Sequence, residues 1–430
     1  MNAGLFHRED VAALFPVADK TIAQLCKENG NLLVFPYCIE AAADKVGNAS
    51  VMTIHNTGDP DMVRIQTENV MGFIGVGHLQ VKIQSRFDAG RDDFLLHYML
   101  QKVLSFNLFD LNHNNEQEDV FDFVMFMFPY FLQNAMRQGI YREFQNFKFN
   151  DAHVKGAIDL GRHLARNTPF IGQVAYCTRE YSHDNNMTQL IRHTIEFMMS
   201  KKYGRSVLHI DRATINNVKA IVEHTPSYNR NERSLIICKN LRNQSHPYYT
   251  EYRPLRSLCL QILKMEEVKY GEVDDEICGI LFDGAWLWEE YVNTILQKEG
   301  FIHPENRKRK GGIFLFEDRT GIRYPDFYKD EMVLDAKYKR LGSYRKVSQV
   351  GRDELHQLIT YVTNLNLPKG GFIAPLTERQ QVVPRSKLKY PSATLFILGI
   401  EISQTATSYA DFCQQMKEKE KEFLASLHQQ

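Results

Sequence analysis

Two acidic residues and a lysine lie close together in the last third of the sequence. Asp326 ends one predicted strand, in YPD, and Asp335 and Lys337 end the next, in LDAK. Residues i and i+2 of a strand point to the same face, so Asp335 and Lys337 should lie side by side. Two carboxylates on adjacent strands can bind one Mg²⁺, and an ammonium can hold the attacking water or stabilise a pentavalent phosphate. The residue types therefore predict hydrolysis of phosphodiester bonds.

This pattern is weak evidence when it stands alone. An acid two residues before a lysine is expected roughly three times by chance in a chain of this composition. A solvated surface strand with the same charges is the alternative. Three further features favour the site.

The first feature is Glu289, on a helix predicted over 285–297. An apolar stripe at helical spacing should face the core, and it comprises Trp288, Tyr291, Val292, Ile295 and Leu296. At about 100° per residue Glu289 lies on the border of that stripe, where its carboxylate can reach a site beside a sheet. We predict that Mg²⁺ (or Mn²⁺) is bound by Asp326, Asp335, Glu289 and Ala336. An ordinary glutamate on a helix flank is the alternative.

The second feature is a glutamine and a tyrosine on the next predicted helix, over 353–365. Gln357 and Tyr361 are spaced i, i+4 and share a face different from that of the buried stripe. The amide and the hydroxyl can contact a scissile phosphate or orient Lys337. Two exposed polar residues would give the same pattern.

The third feature is local positive charge. Residues 301–352 hold 13 Lys and Arg against 7 Asp and Glu, a net charge of +6 within a chain whose total is zero. A basic patch of this kind neutralises DNA phosphates. The candidate DNA-binding residues are Arg307, Lys308, Arg309, Lys310, Lys339, Arg340, Arg345 and Lys346. A solvated loop is the alternative.

The elements that must position these residues divide the chain into three predicted domains. Residues 1–145 combine a β-hairpin with helices, residues 146–270 are mostly helical, and residues 271–430 alternate helices and short strands. In the last domain we expect strands near 313–317, 322–328, 332–338, 371–375 and 394–401, and a final helix over 409–427. The sequence thus predicts a multidomain α+β fold in which a small mixed sheet is flanked by helices.

Composition excludes several classes of protein. The 430 residues carry 52 Lys and Arg against 52 Asp and Glu, which excludes a uniformly basic DNA-coating protein. Seven scattered cysteines without a CxxC pair, and no apolar N-terminal stretch, predict a cytoplasmic protein without structural zinc. The most apolar run, 123–132, is too short to span a membrane, which takes about 20 residues, and should be core. The histidines, including His303 and His356, show no metal-binding spacing and are interpreted as structural.

The candidate residues together resemble the core of PD-(D/E)xK nucleases, and the surrounding sequence resembles the McrC family. FDGAWLWEEYV (282–292), YPDFY, VLDAKYK and DELHQLITYV (353–362) carry this resemblance. It implies a restriction-endonuclease-like α/β core in the last domain, with catalytic residues Glu289, Asp326, Asp335, Lys337, Gln357 and Tyr361.

The resemblance extends upstream of the nuclease core. GFIGVGHLQVKIQSRF (72–87) is similar to the family's N-terminal strand pair, and VKGAIDLGRHL (154–164) and REYSHDNNMTQL (179–190) are similar to two mid-chain motifs. Ser85-Arg86 stands where the family usually has proline and lysine. The long N-terminal region is more similar to LlaJI-like relatives than to the shortest McrC proteins.

The resemblance also implies a function and a partner. The chain would be the subunit of a prokaryotic GTP-dependent restriction system that cleaves double-stranded DNA. Its first two domains would contact and stimulate an McrB-like AAA+ GTPase hexamer. GTP would be bound by that partner, which is consistent with the absence of a GxxxxGK[ST] loop here. A non-catalytic activator of an NTPase and a stand-alone repair nuclease are the alternatives.

Overall fold

The computed structural model describes residues 2–29, 32–36, 44–76, 79–88, 93–104, 116–201, 204–241, 246–269, 277–304 and 311–430. These residues form two compact units, one comprising 1–114 with 273–430 and the other 115–272. The predicted multidomain α+β class is confirmed. None of the helices in the described ranges combines the length and the apolarity needed to cross a lipid bilayer.

Strands and helices alternate along the chain. The strands are β1 (Asn2–His7), β2 (Leu32–Phe35), β3 (Met52–Asn56), β4 (Met62–Thr67), β5 (Val70–Val76), β6 (Leu79–Ile83), β7 (Glu143–Asp151), β8 (Ala157–Ile158), β9 (Val174–Ser182), β10 (Ile277–Asp283), β11 (Ile313–Phe314), β12 (Ile322–Arg323), β13 (Phe327–Lys329), β14 (Met332–Ala336), β15 (Lys369–Leu376), β16 (Arg385–Lys387) and β17 (Thr394–Glu401). The helices are α1 (Ile22–Glu28), α2 (Asp44–Gly47), α3 (Phe94–Leu104), α4 (Glu116–Met136), α5 (Leu160–Arg166), α6 (Asn186–Met199), α7 (Gly204–Leu208), α8 (Arg212–Glu223), α9 (Arg233–Asn240), α10 (Tyr252–Lys269), α11 (Gly284–Leu296), α12 (Arg352–Leu365) and α13 (Tyr409–His428).

The C-terminal part of the first unit is built on a five-stranded sheet in the order β13-β14-β15-β17-β16. Strands β14, β15 and β17 are parallel, and β13 and β16 pair antiparallel at the two edges. Parallel strands buried on both faces are near-continuously apolar, as β15 and β17 are. Helix α12 packs on this sheet through Leu358, Tyr361 and Val362. The predicted helices and the strands near 332–338, 371–375 and 394–401 are present with small shifts at their ends. The strand predicted over 322–328 is instead two short strands, β12 and β13, in different sheets, and β16 was not predicted.

The N-terminal part of the first unit contains two further sheets. One has the order β1-β4-β3, and the other has the order β2-β10-β5-β6. Strand β10 comes from the C-terminal half of the sequence, yet it pairs parallel with β2 and antiparallel with β5. This pairing joins residues 273–430 to residues 1–114 in one compact unit, whereas residues 1–145 and 271–430 were predicted as separate domains. A local sequence pattern does not indicate which distant strand a given strand will pair with.

The second unit joins helices to a three-stranded sheet. Strands β7, β9 and β8 form that sheet, so the region predicted as mostly helical begins with β structure. Helices α4, α6, α8 and α10 pack against one another. The apolar run around Pro129 lies in α4 with its described side chains mostly buried, as predicted for a core segment.

The two mid-chain motifs of this unit cap helices. Asp159 accepts a hydrogen bond from Arg162 N at the start of α5, at 3.2 Å. Asn185 accepts bonds from Met187 N and Thr188 N at the start of α6. Capping side chains satisfy backbone N–H groups that lack a partner in the first turn. These motifs thus have a structural explanation within the unit.

Candidate active site

Asp335 lies near the end of β14, one strand in from the edge of the C-terminal sheet. Its side chain is 0% exposed, because β13 and β15 flank the strand and α12 covers it. Oδ1 receives no hydrogen bond. The ammonium of Lys337 lies 2.7 Å from Oδ2 and forms an ion pair with it. Burying a carboxylate in this way is costly unless a cation offsets it.

Asp326 lies beside Asp335 because β13 and β14 form a hairpin. The register pairs Phe327 with Leu334, which brings the preceding Asp326 to the end of β14. There Asp326 Oδ2 accepts a hydrogen bond from the backbone N–H of Ala336, at 2.7 Å. The structure therefore brings together the two acids and the lysine that the sequence singled out.

The two carboxyl groups perturb each other. Burial, followed by the charge of Asp326, raises the pKa of Asp335 to about 7. Burial and then Glu289 raise the pKa of Asp326 to about 7 as well. Burial alone would lower the pKa of Lys337, but Asp335 and Asp326 outweigh it and raise that pKa above its ordinary value. Lys337 is thus a cation at neutral pH, beside acids whose full ionisation requires further positive charge.

Helix α11 places Glu289 on the side of Asp326. Asp283 caps the start of this helix, and its Oδ1 accepts a hydrogen bond from Trp286 N at 2.8 Å. Trp288 is fully buried, and its Nε1 donates to the Ile373 carbonyl at 3.2 Å. The same carbonyl accepts from Lys337 N at 2.8 Å, so one oxygen ties α11 to the segment after β14. Glu289, the next residue after Trp288, remains 35% exposed.

The C-terminal helix also supports α11. Glu420 Oε1 on α13 accepts hydrogen bonds from Tyr291 OH at 2.9 Å and Tyr98 OH at 2.7 Å. Lys102 lies 2.9 Å from the other oxygen of Glu420. These contacts join α3, α11 and α13, and they hold the helix that carries Glu289.

Gln357 and Tyr361 lie at the site but bond to the protein. Gln357 Nε2 donates to Tyr361 OH at 2.9 Å, and that hydroxyl donates to the Tyr324 carbonyl at 3.2 Å. Tyr361 is 3% exposed. In this arrangement the pair holds the chain two residues before Asp326. Contact with a phosphate stays a prediction.

Ser85 and Arg86 meet the residue that follows Lys337. Ser85 Oγ and Tyr338 OH are 2.7 Å apart, and the Arg86 guanidinium lies 5.3 Å from the centre of the Tyr338 ring. Arg86 Nη2 also donates to Asn69 Oδ1 at 2.7 Å. Ser85 and Arg86 therefore contact the segment that follows β14. Sequence reasoning missed this contact, since Ser85 and Tyr338 are 253 positions apart.

Sequence reasoning also missed His303. Its Nδ1 lies 2.6 Å from the Asp326 carbonyl oxygen, and its ring stacks on Phe327 with centroids 5.0 Å apart. These contacts agree with a structural histidine, as interpreted from sequence, but they place it at the site. No spacing in the sequence marked it.

The residues fit a hard divalent cation. Two buried acids converge, and Oδ1 of Asp335 lacks a hydrogen bond. In the part of the chain that the structure describes, no group of three or more His, Cys, Asp or Glu side chains is close enough to hold a metal by itself. A cation that keeps several waters and takes one or two carboxylates, as Mg²⁺ does, matches this ligand set.

The basic candidates have different environments. Arg307, Lys308, Arg309 and Lys310 lie outside the described residues. Lys339 forms an ion pair with Glu354, and Arg340 Nη2 donates to the Arg86 carbonyl at 3.0 Å. Arg345 and Lys346 have exposed side chains, and their backbone N–H groups donate to Gln349 Oε1.

Comparison with known proteins gives one family and two similar structures. The model of the family described as McrBC 5-methylcytosine restriction system component matches residues 65–375. A half-complex from a tetradecameric assembly of Thermococcus gammatolerans McrB AAA+ hexamers with bound McrC is 13% identical, with a TM-score of 0.48 over 97% of this chain and 98% of that one. The cryo-EM structure of the Thermococcus gammatolerans McrBC complex is also 13% identical, with a TM-score of 0.34 over 71% and 87% of the two chains. No curated protein matches the sequence.

Proposed function

The chain belongs to the family of McrBC 5-methylcytosine restriction system components, and on that premise we propose that it is the subunit that cleaves DNA. It acts as a Mg²⁺-dependent endonuclease of the PD-(D/E)xK type on double-stranded DNA. One observation carries the proposal: Asp335 is fully buried beside a second acid, with one oxygen lacking a hydrogen bond and the other 2.7 Å from the Lys337 ammonium. Such a site is costly to maintain for folding alone, and its ligands suit a cation at a phosphodiester.

Each side chain has a defined task in this proposal. Asp326 and Asp335 hold the cation, Glu289 binds it or one of its waters from α11, and Ala336 keeps Asp326 in place through its N–H. When bound, Mg²⁺ polarises the scissile phosphate and lowers the pKa of a water. Lys337, held as an ammonium by its acids, stabilises negative charge on the phosphate.

Binding of the duplex is assigned to the exposed cations near the site. The side chains of Arg345 and Lys346 are exposed on the loop before α12. Lys339 is 57% exposed even within its ion pair with Glu354. Contacts of this kind are made to phosphates, so they set affinity and not sequence preference.

We further propose that an AAA+ GTPase drives the cleavage. The family is named for a restriction system of which each member is one component. The sequence has no GxxxxGK[ST] loop with which to hydrolyse a nucleotide itself. GTP hydrolysis therefore belongs to the partner, and this chain supplies the cut.

The test is a plasmid-cleavage assay with the full chain, its AAA+ partner, GTP and Mg²⁺. Asp335→Ala should reduce cleavage at least about 100-fold, because metal-assisted stabilisation supplies several kcal/mol. Glu331→Ala is the matched control, since Glu331 lies on the same hairpin and is 70% exposed. The Asp335→Ala chain should still stimulate the partner's GTPase activity.

The other outcomes separate the alternatives. If the wild-type chain stimulates the GTPase but never cuts, it is a non-catalytic activator. If it cuts equally well without partner and GTP, it is a stand-alone nuclease. Undiminished cutting by Asp335→Ala would overturn the assignment of the site.

A further inference from the structure

His303 lies between α11, which carries Glu289, and the hairpin that Asp326 precedes. It lies after α11, while Asp326 begins the β13–β14 hairpin. We propose that His303 is a positioning residue that holds the carboxylate of Glu289 beside Asp326, so that both acids serve the same cation. This inference rests on the proposed metal-dependent function and assigns a role to a residue that sequence reasoning interpreted as structural.

The backbone fixes His303 against the hairpin. Ile302 and Tyr328 form an isolated antiparallel bridge, with Ile302 N donating to Tyr328 O at 2.9 Å and Tyr328 N donating to Ile302 O at 3.0 Å. The imidazole then stacks on the fully buried Phe327 with an angle of 28° between the rings. The side chain of His303 is 15% exposed. The ring is therefore held in one orientation.

That orientation assigns the two ring nitrogens. Nδ1 lies 2.6 Å from the carbonyl oxygen of Asp326. A carbonyl oxygen only accepts hydrogen bonds, so Nδ1 carries a proton. Nε2 is the nitrogen that faces Glu289, with its Oε1 at 3.9 Å. This separation is too long for a direct hydrogen bond. With the proton on Nδ1, Nε2 and Oε1 are both acceptors, so a single bridging water that donates one hydrogen to each can join them.

Electrostatics explain why Glu289 needs such support. Glu289 raises the pKa of Asp326, which means that the two carboxylates repel each other. Glu289 is 35% exposed, so rotation toward solvent would relieve that repulsion. A polar group anchored on Asp326 and facing Glu289 opposes the rotation. Groups that orient metal ligands in this way are typically worth 10–100-fold in metal affinity.

The test uses two substitutions that each keep one half of the imidazole. In His303→Asn the amide nitrogen takes the place of Nδ1 and preserves the bond to Asp326, but the shorter side chain no longer reaches toward Glu289. In His303→Gln the amide reaches toward Glu289 while the Nδ1 donor is lost. The exposed His356→Asn on α12 is the matched control. Each full-length chain is titrated with Mn²⁺, and the free ion is measured by electron paramagnetic resonance.

We expect His303→Asn to melt within a few degrees of wild type and to bind Mn²⁺ about 10–100-fold more weakly. His303→Gln should recover part of that loss, and His356→Asn should match wild type. A purely structural histidine would not produce this pattern, because Asn keeps its structural bond.

A double-mutant cycle then tests the route through Glu289. If His303 acts through Glu289, adding His303→Asn to Glu289→Gln should change the Mn²⁺ affinity less than about twofold. Additive losses would overturn the inference, and so would wild-type affinity in His303→Asn. Either result leaves the proposed nuclease function standing. Absence of Mn²⁺ binding by the wild-type chain would instead overturn the proposed function, and the role of His303 with it.

Discussion

Asp93 and Asp335 are both 0% exposed and both have a pKa raised to about 7, yet the hydrogen bonds to their carboxylate oxygens differ. Asp93 Oδ2 accepts from Ser85 N at 2.8 Å, and its Oδ1 accepts from Leu96 N at 3.4 Å, near the start of α3. Asp335 Oδ2 has an ion pair with Lys337 at 2.7 Å, but no backbone N–H donates to it and its Oδ1 receives no hydrogen bond. Buried acceptors in folded proteins are normally hydrogen-bonded. Burial and a raised pKa are common to the two acids, so what distinguishes Asp335 is the oxygen without a hydrogen bond.

The largest expected effect is on the pH dependence of the free energy of unfolding, and its response to a divalent cation should separate the two acids. The folded-state pKa of each acid is raised above the unfolded value of about 4. The folded chain therefore binds more protons than the unfolded chain between about pH 4 and pH 7. The free energy of unfolding of the metal-free protein should fall across that interval and level off above it. Urea titrations at several pH values measure this.

Divalent cation should remove the share of this pH dependence that Asp335 contributes. Metal binds the ionised carboxylates, so with saturating Mn²⁺ the decline due to Asp326 and Asp335 should vanish. The decline due to Asp93 should remain, because hydrogen bonds already occupy its oxygens. An identical pH profile with and without Mn²⁺ would mean that the two acids do not differ as the comparison states.

The next effect is stabilisation by the cation at constant pH. At a free Mn²⁺ concentration a hundred times the dissociation constant, wild-type protein should gain about 2.7 kcal/mol at pH 8. Asp93→Asn should gain about the same amount, and Asp335→Asn should gain almost nothing. Melting temperatures with and without Mn²⁺ report the difference. Equal gains in both variants would place the cation elsewhere.

The sequence predicted the placement of the two acids and the lysine better than that of their surroundings. Asp335 and Lys337 are two residues apart on one strand, and the hairpin that brings in Asp326 is local, so period and spacing were sufficient. The ties from Trp288 and Lys337 to the Ile373 carbonyl, and from Ser85 to Tyr338, join distant parts of the chain. Periodicity reports which face of an element is buried but not against which element, so these contacts could not be predicted. The same reason explains the unexpected place of β10.

A smaller effect is expected from removing the satisfied acid. Asp93→Ala leaves the N–H groups of Ser85 and Leu96 buried without an acceptor, which should cost about 2 kcal/mol of the free energy of unfolding. Asp93→Asn keeps an acceptor oxygen and tolerates the positive φ of 49° at this position, so it should cost less than half as much. Chemical denaturation at pH 7 measures both. A loss below about 0.5 kcal/mol for Asp93→Ala would show that these hydrogen bonds contribute little.

The smallest effect has the opposite sign and concerns the unsatisfied acid. At pH 8 without metal, Asp335 is ionised against the cost of burial and the charge of Asp326, so Asp335→Asn should raise the free energy of unfolding by about 1 kcal/mol while it destroys the site. At pH 5 the wild-type carboxyl is already neutral, and the two proteins should be equally stable. The same substitution at Asp93 should give no gain at either pH, because it weakens existing hydrogen bonds. Denaturation curves of the two variants at both pH values decide this, and a destabilised Asp335→Asn at pH 8 would show that its ion pair with Lys337 outweighs the cost of its burial.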